Sequence, residues 1–539
     1  MAKQLHEGKF LVVDDFQGMR ALLKDFVRAM GVANVDTATN GRDAMRALSA
    51  KRYDVVICDF NLGSGQNGQQ VMEDAKLRDY IGLTTIWIMV TAEKTAEMVI
   101  GAAEVKPDDY ILKPLNQALL QSRVEKLMLR KQLLVGIELA IKEHDYQRAI
   151  AECDVLLQSQ PGGSQDILRI KADLLINTGD HEGAKALFES VLAARSVPWA
   201  TTGLGKIRFH AGEWASAKAL FEQALRDNRM YMEASDWLVK TLAAMGNLKQ
   251  AQEVLMSAVK LSPNSPQRQK SLGETAYKNG SLDIARTAFE QTIKISEFSP
   301  HKSPAAFTGL AKVFSDQGAP NDALKVLAKS RGEFKDNPLA SMQAAAAESL
   351  VYKKMGDQEK SDAALNTAEQ LLEGLQGKVN PEVAMDVAKT LFAAGKKDKA
   401  CGMLRDLIKN NHENSAISSQ IEEVFKSENL LDEGQAIINE ARQEVININN
   451  RGVLLAKSGE FQEGVKLLRT ALKDMPHSEV VIMNLCGLLF GLMRKEGKSE
   501  ALMQEVTELL ERARHINPGS KKYQAYTAAL NQIYPLNLH

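Results

Sequence analysis

The sequence predicts two architectures in succession: a doubly wound α/β domain on five parallel strands, then an all-α solenoid of helical hairpins. Three observations carry this expectation. Five short apolar runs, separated by amphipathic stretches, are confined to the first 115 residues. Beyond them the pattern is helical, broken by Gly, Asn or Pro every fifteen to twenty residues. Within that helical part, one pairing of a glycine with a small residue recurs at a nearly constant interval. A chain of 539 residues is in any case too long for one hydrophobic core.

The apolar runs are residues 9–15 (KFLVVDD), 35–39, 53–59 (YDVVICD), 84–91 (TTIWIMVT) and 109–113 (DYILK). They are short, rich in Val and Ile, and apolar without alternation, as in strands covered on both faces of a parallel sheet. Residues 16–30 and 42–50 between them have helical spacing. Five β-α units predict a doubly wound sheet, with its site at the carboxyl ends of the strands.

In the helical part a turn residue is followed five positions later by a small one: Gly179/Ala184, Gly212/Ala217, Gly246/Ala251, Gly280/Ala285, Gly318/Ala323, Gly356/Ser361, Gly395/Ala400 and Gly459/Gly464. His144/Ala149 and Asn429/Gly434 are weaker members. Successive small residues are 35, 33, 34, 34, 38, 38, 39, 34 and 30 apart. Four positions further on stands a bulky apolar residue, among them Phe188, Phe221, Leu255, Phe289, Leu327, Leu365, Leu404 and Leu468. The small residue lets the second helix of a hairpin approach the first, and the bulky one fills the space to the next hairpin. The tryptophans Trp87, Trp199, Trp214 and Trp237 are expected in the core.

Several classes of function are excluded. Residues 1–120 hold 14 Lys+Arg and 16 Asp+Glu, which leaves 67 − 14 = 53 and 68 − 16 = 52 for the rest. Neither part has the positive excess of a phosphate-backbone binder, so no nucleic-acid partner is expected. The four cysteines form no C-x-x-C pair and fit a reducing cytoplasm. No stretch of 18 apolar residues and no leader pattern is present, which argues against a membrane. The segment from Gly491 to Ser499 imitates a nucleotide-binding loop, but five residues separate its glycines and no strand precedes it.

The chemistry lies in residues that end strands. Asp14 and Asp15 end the first run, Asp59 the third, Thr91 the fourth and Lys113 the fifth, so all five converge on one crevice. Three carboxylates attract a hard divalent cation such as Mg²⁺. That charge would let a carboxylate attack a phosphoryl group whose oxygens a lysine and a hydroxyl then bind. Singly, each has a plainer explanation: Asp15 as a helix N-cap, Lys113 as a solvated charge.

Over residues 9–130 this constellation resembles the response-regulator receiver family, a flavodoxin-like fold. The resemblance implies that Asp59 accepts phosphate from a sensor histidine kinase and that Asp14, Asp15, Asp59 and the Asn61 carbonyl hold Mg²⁺. It further implies that Thr91 and Lys113 bind the phosphoryl group, with Ala92 as the small neighbour, and that Tyr110 with Thr91 forms the switch. One departure is Leu62-Gly63 in place of the usual Met-Pro, in a loop to Gly68 one residue longer. Over roughly residues 131–535 the chain resembles the tetratricopeptide repeat, as in Leu204-Gly205…Gly212…Ala217…Phe221 and Leu272-Gly273…Gly280…Ala285…Phe289.

The expected organisation is therefore a receiver at 1–130 and a repeat array at 131–539, with ten or eleven hairpins and the last helices as a cap. The expected function is a response regulator whose repeats are a scaffold for an unknown protein partner on their inner face. In the alternative, the chain binds or competes for a sensor kinase and limits phosphate flow to another regulator. No catalytic output domain is expected, and a homodimer is possible. Residues 116–143 contain no proline and only Gly136, which predicts one amphipathic helix (Leu119, Val124, Leu127, Leu134, Leu139) that runs into, or docks on, the first hairpin.

Overall fold

The computed structural model describes residues 5–92, 104–159, 164–374, 381–393, 395–412, 415–497, 499–516 and 520–533. It divides into two compact units, Met1–Ile176 with Asp180–Leu310, and Asn177–Gly179 with Ala311–His539.

The first unit opens on five strands, β1 (Lys9–Val13), β2 (Asn34–Ala38), β3 (Val55–Asp59), β4 (Ile86–Thr91) and β5 (Asp109–Leu112). All pair in parallel, in the order β2-β1-β3-β4-β5. Apolar residues on both strand faces follow from burial on both sides. Phe10, Val12, Val55, Ile57, Ile88 and Val90 face helices α1 (Gln17–Ala29) and α4 (Gln117–Gln132), with Leu23, Val27, Leu120 and Val124. Leu11, Val13, Val56, Cys58, Trp87 and Met89 face α2 (Gly41–Ala50) and α3 (Gly68–Leu77), with Leu48, Val71 and Met72. Asparagine side chains start three of these helices: Asn40, Asn67 in a capping box with Gln70, and Asn116.

The expected single helix after Asn116 is interrupted. α4 stops at Gln132, and α5 (Val135–Lys142) begins after a tight turn in which the Leu134 amide donates to the Lys131 carbonyl at 3.0 Å. The break serves tertiary packing. Leu134 and Ile137 turn onto Ala149 and Cys153 of α6 (Tyr146–Ser159), with Leu83 of the β3–β4 side against the same cluster. Of the predicted apolar stripe, Val124, Leu127 and Leu134 are buried, whereas Leu119 and Leu139 are exposed and Leu120, Met128 and Ile137 take the buried positions instead.

α5 and α6 form the first hairpin. Four more follow in this unit: Ser164–Asn177 with His181–Ala194, Pro198–His210 with Trp214–Asp227, Met232–Ala244 with Leu248–Leu261, and Pro266–Lys278 with Leu282–Ile295. Each turn contains one left-handed residue, including His144 at φ 57°. Three residues past the helix, an amide bonds back to the carbonyl five residues earlier, as from Glu213 to Arg208 or Ser281 to Ala276. Ala184, Ala217, Ala251 and Ala285 are fully buried. Phe289 lies in a notch where a side chain on Gly273 or Gly309 would come within 2.8 or 2.5 Å of its ring. Trp87 and Trp199 are buried as expected, but Trp214 opens its helix at the surface, 41% exposed.

The second unit continues the pattern through Pro320–Glu333, Pro338–Lys354, Gln358–Gly374, Pro381–Ala393, Lys397–Asn410 and Ser415–Ser427. Its exception is Leu431–Lys457, one helix of 27 residues. The second helix of one hairpin there runs without a loop into the first helix of the next, which explains why the 30-residue interval is the shortest. Phe461–Asp474, Glu479–Glu496, Glu500–Ile516 and Lys521–Ile533 complete the unit. The loop-like glycines Gly491 and Gly497 lie inside and just past one helix. Among the described residues no helix is long and apolar enough to cross a membrane.

Candidate functional site

The order in which strands are added reverses between β1 and β3, and the crevice opens beyond their carboxyl ends. Asp14 follows β1 and is fully buried, Asp59 is the last residue of β3, and Asp15 is exposed at the rim. Oxygens of all three carboxylates lie within 4.8 Å of one another. Lys113, just past β5, reaches across with Nζ 2.8 Å from Asp59 Oδ2 and 3.0 Å from Asp14 Oδ2. Thr91 closes β4 and is buried beside it.

Local structure fixes these side chains. Asp14 Oδ1 accepts the Phe16 amide at 2.9 Å, so this carboxylate, and not Asp15, ties down the start of α1. Arg20 donates to the Asp14 and Asp15 carbonyls at 2.7 and 3.3 Å. The sequence reading did not single out Arg20, whose only signal was its place one turn into α1. The loop after Asp59 folds back on itself: the Gly68 amide donates to the Phe60 carbonyl at 2.8 Å. A side chain on Gly68 would come within 2.1 Å of the Asp59 carbonyl, so glycine is required there. In the departing segment, Leu62 is buried and Gly63 is left-handed at φ 73°. Asn61 is exposed, and its side chain accepts the Gly63 amide. Tyr110 on β5 packs on the α2–α3 side of the sheet with its hydroxyl oxygen shielded from solvent.

Burial pushes the Asp59 carboxyl above its ordinary pKa, against the opposing pull of Lys113. Burial also opposes the Lys113 charge, but hydrogen bonds to Asp59 and Asp14 outweigh it and keep the ammonium charged. An oxygen-only set of three clustered carboxylates fits a hard divalent cation.

Known proteins share these features. The response regulator receiver domain family matches residues 10–125, and tetratricopeptide repeat families match residues 169–233 and 208–275. The chemotaxis protein CheY-3 of Vibrio cholerae is 31% identical over 122 residues, 23% of this chain and 92% of that protein. The chemotaxis protein CheY of Pseudomonas aeruginosa is 30% identical over 122 residues, 23% of this chain and 97% of its own length. Among solved structures, the chemotaxis response regulator CheY4 of Vibrio cholerae is 25% identical, with a TM-score of 0.21 over 22% of this chain and 98% of that one. The crystal structure of MamA is 19% identical, with a TM-score of 0.28 over 32% of this chain and 95% of that one. A receiver sheet with clustered carboxylates at its carboxyl edge, and hairpin repeats behind it, place this chain in the response-regulator family, with a CheY-like receiver at residues 10–125 and tetratricopeptide repeats at residues 169–275.

Proposed function

We propose that the chain is a cytoplasmic, phosphorylation-controlled scaffold, with a receiver over residues 1–130 and a repeat array over residues 131–539. Asp59 is the phosphoacceptor and a sensor histidine kinase the donor. The observation that carries this reading is Lys113 bridging Asp14 and Asp59 at 3.0 and 2.8 Å in the crevice.

An Asp59 oxygen attacks phosphorus, the bond from phosphorus to the kinase imidazole nitrogen breaks, and the nitrogen leaves with the electron pair. Lys113 Nζ, already on the Asp59 carboxylate, shifts to a phosphoryl oxygen, and the Thr91 hydroxyl takes another. Asp14, Asp15, Asp59 and the Asn61 carbonyl would hold Mg²⁺, whose charge offsets that of the incoming phosphoryl group. Tyr110 and Thr91 are the switch pair that reports the modification. The repeats bind a protein partner along the face formed by the first helices of successive hairpins.

The test is incubation with Mg²⁺ and a small phosphodonor, read by intact mass. One phosphoryl group is expected on the wild-type chain and none on Asp59→Asn. A variant that gained the group at the wild-type rate would end the assignment.

A further inference from the structure

Within the first unit, the receiver is seated on the repeats through a charged contact between Arg268 and Glu104. Arg268, on the first helix of the fifth hairpin, is only 4% exposed. Its guanidinium is held in a fork by Asp236 of the preceding hairpin, Nε to Oδ1 at 2.9 Å and Nη2 to Oδ2 at 3.0 Å. The remaining nitrogen, Nη1, donates to Glu104 Oε1 of the receiver at 3.1 Å. Ser262, itself buried, is the second hydrogen-bond partner of the Glu104 carboxylate. Asp236 aims the guanidinium, and Arg268 and Ser262 present donors to one carboxylate. That is a preorganised carboxylate socket.

The surroundings extend the match. Lys106, two residues beyond Glu104, lies in the field of Asp173 and Glu233, which sit on the first helices of the second and fourth hairpins. The Val105 carbonyl between them is held by Lys76 Nζ of α3 at 2.6 Å. Glu104 is thus held by a direct ion pair, and Lys106 adds only a longer-range attraction toward Asp173 and Glu233, which Lys206 also serves. All four repeat residues apart from Ser262 lie on first helices, the face proposed above to bind the partner. The same receiver segment leads within three residues into β5, which carries Tyr110 and ends beside Lys113.

We propose that Arg268, Asp236 and Ser262 form the socket through which the repeats take an acidic side chain of their protein partner, and that Glu104 fills it in the unphosphorylated chain. The proposal rests on the reading of the repeats as the output surface. A partner segment with the same acidic-spacer-basic order competes with residues 104–106. Phosphorylation, by moving Lys113 and β5, withdraws Glu104 and frees Arg268.

The test uses the full chain and phenylglyoxal, which modifies accessible guanidinium groups, with modification of Arg268 followed by peptide mass. In the wild-type chain Arg268 should be protected. Glu104→Gln should raise its rate of modification about tenfold, the scale set by loss of one charge-assisted hydrogen bond. Beryllofluoride, a phosphoryl mimic, should do the same to the wild-type chain. A synthetic peptide of residues 104–112 should restore protection in the Glu104→Gln chain, whereas the same peptide with glutamine at its first position should not. Equal rates in wild-type and Glu104→Gln chains would overturn the socket, as would protection by both peptides. A wild-type rate unmoved by beryllofluoride would overturn the release. Phosphoryl uptake is read by intact mass on parallel samples, so its failure counts against Asp59 as acceptor and is separate from the labelling result.

Discussion

The Thr84 amide donates to Glu138 Oε2 at 2.6 Å, which ties the loop before β4 to the first hairpin of the repeats. Glu138 is 7% exposed, and its other oxygen pairs with Lys142 at 2.5 Å. Lys131 Nζ donates to the neighbouring Leu83 carbonyl at 2.7 Å. The receiver and the first hairpin are therefore joined by direct bonds as well as by the chain through Leu133 and Leu134.

Removing that carboxylate should loosen the junction. Glu138→Ala leaves the Thr84 amide to find another partner, at a cost of about 1–3 kcal/mol for a hydrogen bond to a charged group. Gly82→Ala should act by another route. Its new Cβ would lie 2.3 Å from Glu138 Oε1, so the carboxylate must move off Thr84. Urea unfolding, with hydrogen exchange at residues 82–86, checks both. Unchanged exchange in the two variants would show that the bond does not hold the loop.

The same residue gives a pH dependence. Burial raises the Glu138 pKa, but hydrogen bonds from Lys142 and Thr84 outweigh it, so the folded value lies below the ordinary 4.5. A depressed carboxylate contributes stability above its unfolded pKa and loses it as pH falls through the folded value. The stability lost by Glu138→Gln should accordingly be full at pH 6–7 and shrink below about pH 4. A difference that stayed constant across that range would assign the effect to shape and not to charge.

What the sequence made legible, and what it hid, follows from the range of the interactions. Asp14, Asp59, Thr91 and Lys113 could be placed together because strand ends in a parallel sheet converge whatever the loops do. The hairpin turns were legible for a similar reason, since a left-handed residue and a small residue five positions on form a local requirement. The bonds Thr84–Glu138 and Arg268–Glu104 span 54 and 164 residues and leave no periodic trace. The break at Leu133–Leu134 belongs with them, because intrinsic helix propensity there is high and only packing on Ala149 and Cys153 turns the chain. Leu431–Lys457 erred the other way: a regular repeat implies a loop, and here the helix runs through.

Divalent cation should stabilise the receiver through its acidic cluster. Asp14 and Asp59 are buried within reach of one another with a single lysine between them, so added positive charge relieves repulsion. At tenfold excess over its dissociation constant, Mg²⁺ should add about 1.4 kcal/mol. The thermal midpoint should rise with Mg²⁺ and return with chelator, and the rise should vanish in Asp14→Asn. An equal rise in that variant would place the bound cation elsewhere.

The final prediction concerns two hairpin turns that, among the described residues, carry a left-handed residue other than glycine. His144 and Asn429 adopt φ of 57° and 58°, close to the 73–78° of Gly179, Gly212, Gly246, Gly280, Gly318, Gly356, Gly395 and Gly459. Each is followed by the same closing bond, Asp145 to the Ala140 carbonyl and Leu430 to Phe425, both at 2.9 Å. A left-handed conformation costs an L-residue about 1–2 kcal/mol, less for asparagine, and costs glycine nothing sterically. His144→Gly should therefore stabilise the chain by up to about 1 kcal/mol, after the added entropy of glycine in the unfolded state is subtracted. Asn429→Gly should gain less, because asparagine tolerates this region. Gly280→Ala is the converse. Nothing lies within 4 Å of its added Cβ, so any loss is conformational and should be about 1–2 kcal/mol. Urea midpoints of the three variants should order as His144→Gly, then Asn429→Gly, then Gly280→Ala. If Gly280→Ala proved neutral, backbone handedness would not be what keeps glycine at these turns.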